Sequence, residues 1–242
     1  MNGRTGFILS LIGATLSTAA SAADAPDCRN GIFVEEGVTY GLAKVTGEGK
    51  LFFVEDTFYC DKDKQKGACP VCPSDNAACL SKSYVLPGDL VITARSFNGY
   101  RCILYRNEKN FAGSAGYVPE GRLEALPAAE VKQKDWLGAW RMGDDSITLR
   151  AKGDKLSASG DAYWPSANPS LKERPGGPNI GQMSGVAAPK GNQVTFADDE
   201  DECHVSLTLL PPFLLAHDNE RCGGMNVRFD GVYLRAGRGK GR

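Results

Sequence analysis

Histidine is scarce in this chain, which has only 2 among 242 residues, and the formal net charge at pH 7 is −1. His204 and His217 have no evident third partner, so they make neither a three-ligand zinc site nor a convincing hydrolytic triad. A serine elbow and a glycine-rich phosphate loop are also missing. A nearly neutral chain lacks the excess of basic residues that is typical of nucleic-acid-binding proteins. We therefore expect no cofactor, no bound metal and no nucleic-acid partner. A catalytic carboxylate pair stays open, because it depends on distances in three dimensions.

Long apolar runs are confined to the N-terminus. Arg4 is followed by an apolar run over residues 7–16 and then by Ala20-Ser21-Ala22, the pattern of a secretory signal peptide. The run is interrupted by polar and small residues and is shorter than the roughly 20 apolar residues that a membrane helix needs. We predict that residues 1–22 are removed, which leaves a periplasmic or secreted protein without a membrane span.

The 8 cysteines all lie beyond this segment. An even number of cysteines in an exported chain predicts disulfides. Six of them crowd the first half, where about 15 pairings are possible, namely Cys28, Cys60, Cys69, Cys72, Cys79 and Cys102. The uneven distribution predicts two separately stapled domains, residues 23–122 and 136–242, joined by an Ala-rich, charged linker over residues 123–135.

The Cys69-Pro70-Val71-Cys72 stretch has three interpretations. A C-x-x-C pair is typical of thiol oxidoreductases, in which a helix N-terminus stabilises the first thiolate. Cys60 and Cys79 would complete a four-cysteine zinc set with usable spacing. The prolines and the absence of a helical pattern argue against the redox setting, and export favours structural disulfides.

Short alternating runs dominate the first half, at residues 38–44, 51–58, 90–97 and 100–105, and they predict a small β-barrel. Residues 86–126 resemble the bacterial SH3-like domain. The resemblance lies in Pro87-Gly88-Asp89, Gly99-Tyr100, Gly116-Tyr117-Val118-Pro119 and Leu123. It implies a domain that binds cell-wall peptides in some proteins and only supports its neighbours in others. Tyr100 and Tyr117 are then the candidate ligand-binding face.

The second half contains eight alternating runs in about a hundred residues, which suit a closed antiparallel barrel. Its opening Trp136-x-Gly138-x-Trp140 resembles the first strand of lipocalin-like barrels. The stretch from Trp136 to Tyr233 also resembles a module of uncharacterised proteobacterial periplasmic proteins. We therefore predict an all-β chain, with an SH3-like small barrel followed by an eight-stranded lipocalin-like barrel.

Near the C-terminus, Cys203 begins one predicted strand and Pro211-Pro212 makes the turn to the next. In an antiparallel hairpin about this turn, position 203 faces roughly position 220, so we expect Cys222 to bond to Cys203. A cysteine in a disulfide is no nucleophile, which argues against catalysis with the nearby His217.

Ser159-Gly160-Asp161-Ala162-Tyr163 matches the pattern S-G-x-x-Y and resembles the loop of periplasmic inhibitors of C-type lysozyme. The resemblance implies that Ser159 and Tyr163 contact the enzyme and that Gly160 permits close approach. The alternation of the same residues predicts a strand instead. Trp164 comes next in the sequence and is followed by a long proline-rich loop. Loops of this length are often functional.

These patterns predict an exported, non-catalytic protein that binds in the cell envelope. One hypothesis is a lysozyme inhibitor that acts through Ser159, Gly160, Tyr163 and Trp164. The alternative is a peptidoglycan-targeting module that acts through Tyr100 and Tyr117. A thiol oxidoreductase using Cys69 and Cys72 is a third.

Overall fold

The computed structural model describes residues 25–56, 71–107, 110–198, 200 and 202–237. The predicted signal peptide, Cys60 and Cys69 lie outside the described residues. Within them the structure is nearly all β, as predicted, with one α-helix of four residues. No helix in this part of the chain is long and apolar enough to cross a membrane.

The first half forms a seven-stranded antiparallel sheet in the order β3-β2-β6-β5-β4-β1-β7. Asn98 and Gly99 both have positive φ, as the tight turn between β4 and β5 requires. A short 3-10 turn, Glu120–Arg122, precedes β7. The strands are β1 (Gly41–Val45), β2 (Leu51–Val54), β3 (Leu80–Val85), β4 (Leu90–Phe97), β5 (Tyr100–Asn107), β6 (Asn110–Pro119) and β7 (Leu123–Ala125).

This sheet curls around a small core of its own. Buried side chains from β1, β2, β4, β5 and β6 form one cluster, which includes Ala43, Phe53, Val91, Ile103 and Val118. Strands that lie several positions apart in the sheet could not share a cluster if the sheet were flat.

The second half is a nearly closed eight-stranded antiparallel barrel in the order β11-β10-β9-β8-β15-β14-β13-β12. At the seam the edge strands β11 and β12 approach closely, since a Cβ on Gly185 would lie 2.6 Å from the Ala197 carbonyl oxygen. The predicted eight-stranded barrel is confirmed. Its strands are β8 (Gly138–Met142), β9 (Asp145–Lys152), β10 (Lys155–Trp164), β11 (Asn179–Ala187), β12 (Gln193–Ala197), β13 (His204–Leu210), β14 (Phe213–Asp218) and β15 (Gly231–Arg235).

Side chains fill the barrel. Trp136 and Trp140 are both buried, and the Trp140 indole N–H donates to the Trp136 carbonyl oxygen at 2.9 Å. Phe229 and Tyr233 are also completely buried, and the Tyr233 hydroxyl donates to the Phe229 carbonyl oxygen at 3.1 Å. The interior is therefore a packed core.

The connection between the halves is shorter than the predicted linker 123–135. Strand β7 takes up its first three residues, because Leu123 pairs with Val45 of β1. Helix α1 (Gln133–Trp136) begins within its last residues and delivers the buried Trp136 to the barrel core. Residues 126–132 remain as the connecting segment.

The two halves share a second hydrophobic core. Ile92, Leu104 and Tyr117 of the first sheet cluster with Phe213, Leu215 and Val232 on the outer wall of the barrel. The buried Arg106 crosses the interface, where its Nε donates to the Val232 carbonyl oxygen at 2.9 Å. The first sheet therefore covers one side of the barrel, around β14 and β15.

Candidate functional site

The cysteines at the C-terminus form the expected clasp. Cys203 and Cys222 are bonded with their Cα atoms 4.5 Å apart, across a hairpin in which Val205 pairs with Asp218. The predicted disulfide is confirmed. Among the described residues of the first half there are two further bonds, Cys28–Cys102 and Cys72–Cys79. Because Cys72 is bonded to Cys79, its sulfur is not available for a redox-active pair with Cys69.

His217 has a structural partner close to this clasp. Its Nδ1 lies 2.9 Å from the Asp230 Oδ1, which also accepts the Asp218 backbone N–H at 2.8 Å. Asp218 accepts the backbone N–H of Phe229 in turn. The Asp218 and Asp230 carboxylates therefore hold the end of the loop that follows β14 against the last residue of β14. The imidazole and the Cys222 sulfur do not form a nucleophile and base.

The S-G-x-x-Y residues lie inside a strand. Strand β10 pairs with β9 on one side and with β11 on the other, so Ser159 faces Thr148 and Ser184 across the ladders. Gly160 is buried, and a Cβ there would lie 2.7 Å from the Ser146 carbonyl oxygen. Its lack of a side chain is required by packing inside the barrel. Ser159 and Tyr163 point to the outer face.

Exposed apolar side chains gather where β10 ends and β11 begins. Tyr163 pairs directly with Ile180, which is 52% exposed, and Trp164 follows at 38% exposure. Met225 is 79% exposed, and the Asn179 side chain donates to its carbonyl oxygen at 2.6 Å, which holds it beside Ile180. We call Tyr163, Trp164, Ile180 and Met225 the barrel-end surface.

The proline-rich loop after Trp164 has internal hydrogen bonds. The Arg174 backbone N–H donates to the Ser170 carbonyl oxygen at 2.9 Å, and its Nε donates to the Gly177 carbonyl oxygen at 2.9 Å. The guanidinium carbon of Arg174 then lies 5.5 Å from the centre of the Trp164 ring. This cation–π geometry orients the indole at the edge of the barrel-end surface.

Tyr100 and Tyr117 do not share an exposed face, contrary to the expectation for a ligand-binding pair. Tyr117 is 0% exposed, and its hydroxyl donates to the Pro26 carbonyl oxygen at 2.7 Å. Tyr100 is only partly exposed, and its hydroxyl donates to Asp75 Oδ1 at 2.6 Å. Burial is the main cause that raises the pKa of each phenol to about 12. Tyr117 belongs to the core between the halves.

Sequence reasoning missed Ile180 and Met225. The segment Asn179–Ala187 contains three polar residues and two glycines and has no clear alternation, so Ile180 did not stand out as a strand residue. Met225 follows Gly223 and Gly224, a pair of residues that indicates a sharp turn and not a binding surface. An isoleucine two residues after Pro178, the last proline of the loop, is the one signal that pointed to this surface.

A scan against protein-family models, a search of curated proteins and a search of solved structures each found no match. The resemblances to SH3-like domains, lipocalin-like barrels and lysozyme inhibitors rest on short motifs, and they remain predictions.

Proposed function

We propose that this chain is an exported, non-catalytic protein that recognises a partner protein in the cell envelope through the barrel-end surface. The observation that carries the proposal is the exposure of Trp164, Ile180 and Met225, together with the half-buried Tyr163, where β10 ends and β11 begins. Tyrosine, tryptophan, methionine and arginine are the residues enriched at protein interfaces, and tryptophan, tyrosine and arginine dominate their binding energy.

The structure also holds side chains of the barrel-end surface in place before a partner binds. Tyr163 and Ile180 lie on paired strands, and Arg174 holds the Trp164 ring from the loop side. Side chains that are ordered before association lose less conformational entropy on binding. A preorganised aromatic pair therefore supports a specific contact.

The S-G-x-x-Y resemblance makes a C-type lysozyme the first partner to test. Ser159 and Tyr163 both face outward from β10 and can contact one partner together. Gly160 faces the barrel interior, so it has no part in such a contact. An inhibitor built on this chain would present the face of a strand to the enzyme.

The second candidate is peptidoglycan targeting by the first half. Tyr117 is buried, but Phe52 of β2 and Tyr84 of the edge strand β3 are exposed, with ring centres 5.7 Å apart. The Lys50 ammonium lies 4.2 Å from the centre of the Tyr84 ring. This aromatic pair would take the role that the sequence assigned to Tyr100 and Tyr117.

Two double variants separate these functions. We expect Tyr163→Ala with Trp164→Ala to abolish inhibition of lysozyme in a lysis assay on wall fragments. Phe52→Ala with Tyr84→Ala removes a matched aromatic pair elsewhere and should leave that inhibition intact. Lysis that excess wild-type protein does not slow rules out the lysozyme version.

Sedimentation with purified sacculi tests the second candidate. If the first half targets peptidoglycan, wild-type protein pellets with the sacculi and the Phe52→Ala, Tyr84→Ala variant stays in the supernatant. Protein that stays soluble in all forms excludes wall binding.

A further inference from the structure

A cavity of about 190 Å³ lies between the two halves of the chain. Phe33 closes it from the N-terminal segment, Phe111 from β6, and Met142 and Val232 from the barrel. The Phe111 ring is largely exposed at its rim and rests against Gly143. The cavity is smaller than the roughly 300–1,000 Å³ of drug-sized sites, so only a small ligand fits.

Two carboxyl groups, Asp145 and Asp230, also line this apolar cavity, while none of its described lining residues is basic. Asp230 has partners in His217 and the Arg228 guanidinium. Asp145 accepts the Tyr163 backbone N–H at 2.9 Å, and the described residues give it no cationic partner. An ionised carboxylate in such surroundings is costly unless it is paired.

The pKa values agree with this geometry. Burial is the largest cause that raises the pKa of Asp145 to about 6, with a smaller contribution from the neighbouring charge of Asp144. Burial also raises the pKa of Asp230, although His217 and Arg228 act in the opposite direction. A cation beside Asp145 would stabilise its ionised form.

We propose that this cavity binds a small organic cation, an ammonium group on a short apolar body, with Asp145 as its counter-ion and Phe33 and Phe111 as aromatic walls. Aromatic rings attract ammonium groups through their negative faces, and the apolar lining accommodates the hydrocarbon part. Anions are repelled by the two carboxylates. The site is distinct from the barrel-end surface, and it does not depend on the function proposed for that surface.

The test compares three probes of equal length, pentylammonium, pentanol and pentanoate, on wild-type protein carrying ¹³C-labelled methionine methyl groups. Met142 lines the cavity, so its methyl signal should shift saturably with pentylammonium. We expect pentylammonium to bind about tenfold more tightly than pentanol and pentanoate not to bind. Equal binding of pentylammonium and pentanol, or a Met142 signal that does not move, overturns the proposal.

A variant pair identifies the counter-ion. Asp145→Asn keeps an oxygen for the Tyr163 N–H but removes the charge, so pentylammonium and pentanol should then bind within about twofold of each other. Asp154→Asn, in the exposed turn between β9 and β10, should keep the wild-type preference. A preference that survives in Asp145→Asn contradicts the assignment. If that variant does not fold, the comparison of the three probes on wild-type protein still decides the proposal.

Discussion

Replacing Cys203 and Cys222 together by alanine should lower the free energy of unfolding by about 3 kcal/mol. The bond joins residues separated by 19 positions, and loop-closure entropy for a loop of that length gives roughly 3.2 kcal/mol at 25 °C. Both sulfurs are buried, so small cavities add to the loss. Gly223, next to Cys222, lies against Gly181 of β11 in an isolated bridge. The variant should therefore also loosen the backbone beneath Ile180.

The same calculation ranks the three described disulfides. Cys72–Cys79 has a sequence separation of 7 and Cys28–Cys102 one of 74, which correspond to roughly 2.4 and 4.5 kcal/mol. Urea titrations of the three double-alanine variants, followed by circular dichroism, measure the order directly. A Cys203→Ala, Cys222→Ala variant as stable as wild type, or a Cys72–Cys79 bond that contributes most, would refute the reasoning.

Three further perturbations test the packing. Gly160→Ala should lower the free energy of unfolding by about 1–3 kcal/mol, because its Cβ would collide with the Ser146 carbonyl oxygen. The folded fraction should bind the partner as wild type does, whereas lost binding by fully folded protein would make Gly160 a contact residue. Asp145→Asn tests a carboxyl whose pKa in the folded state is raised to about 6. Its contribution to stability is present below about pH 4 and is lost as the pH rises to 6, so the variant should gain up to about 2 kcal/mol over wild type across that window, allowing for solvent screening. A difference that stays constant from pH 4 to 7 in thermal melts contradicts this sign. Tyr117→Phe removes the hydrogen bond to the Pro26 carbonyl oxygen and should cost about 1 kcal/mol, and an unchanged urea midpoint would show that the bond contributes nothing.

Local patterns predicted the barrel well because each of them is fixed by a few neighbouring residues. The alternation of residues 159–163 correctly predicted a strand, which the structure shows as β10, Lys155–Trp164. Pro211-Pro212 fixed the hairpin register, and through it the Cys203–Cys222 bond. The strand pattern also placed Ser159 and Tyr163 on one face, where the lysozyme-inhibitor resemblance implied a protruding loop.

Contacts between the two halves could not be predicted from the sequence patterns. Whether Tyr117 is exposed depends on what covers its sheet, and the cover comes from Phe213, Leu215 and Val232, about a hundred residues further along. Strand β14 itself reads FLLAHD and lacks alternation, because one face lies in the barrel core and the other under the first sheet. Asp145 and Asp230 meet the same cavity only after both halves have packed.

Capture of partners from an envelope extract tests the central claim most directly. Immobilised wild-type protein, the Tyr163→Ala, Trp164→Ala variant and the Phe52→Ala, Tyr84→Ala control should be compared after each has been shown to be folded. The proposal predicts a protein that is retained by wild type and by the control and is lost with the Tyr163 and Trp164 substitutions. Retention of the same proteins by all three forms would contradict it.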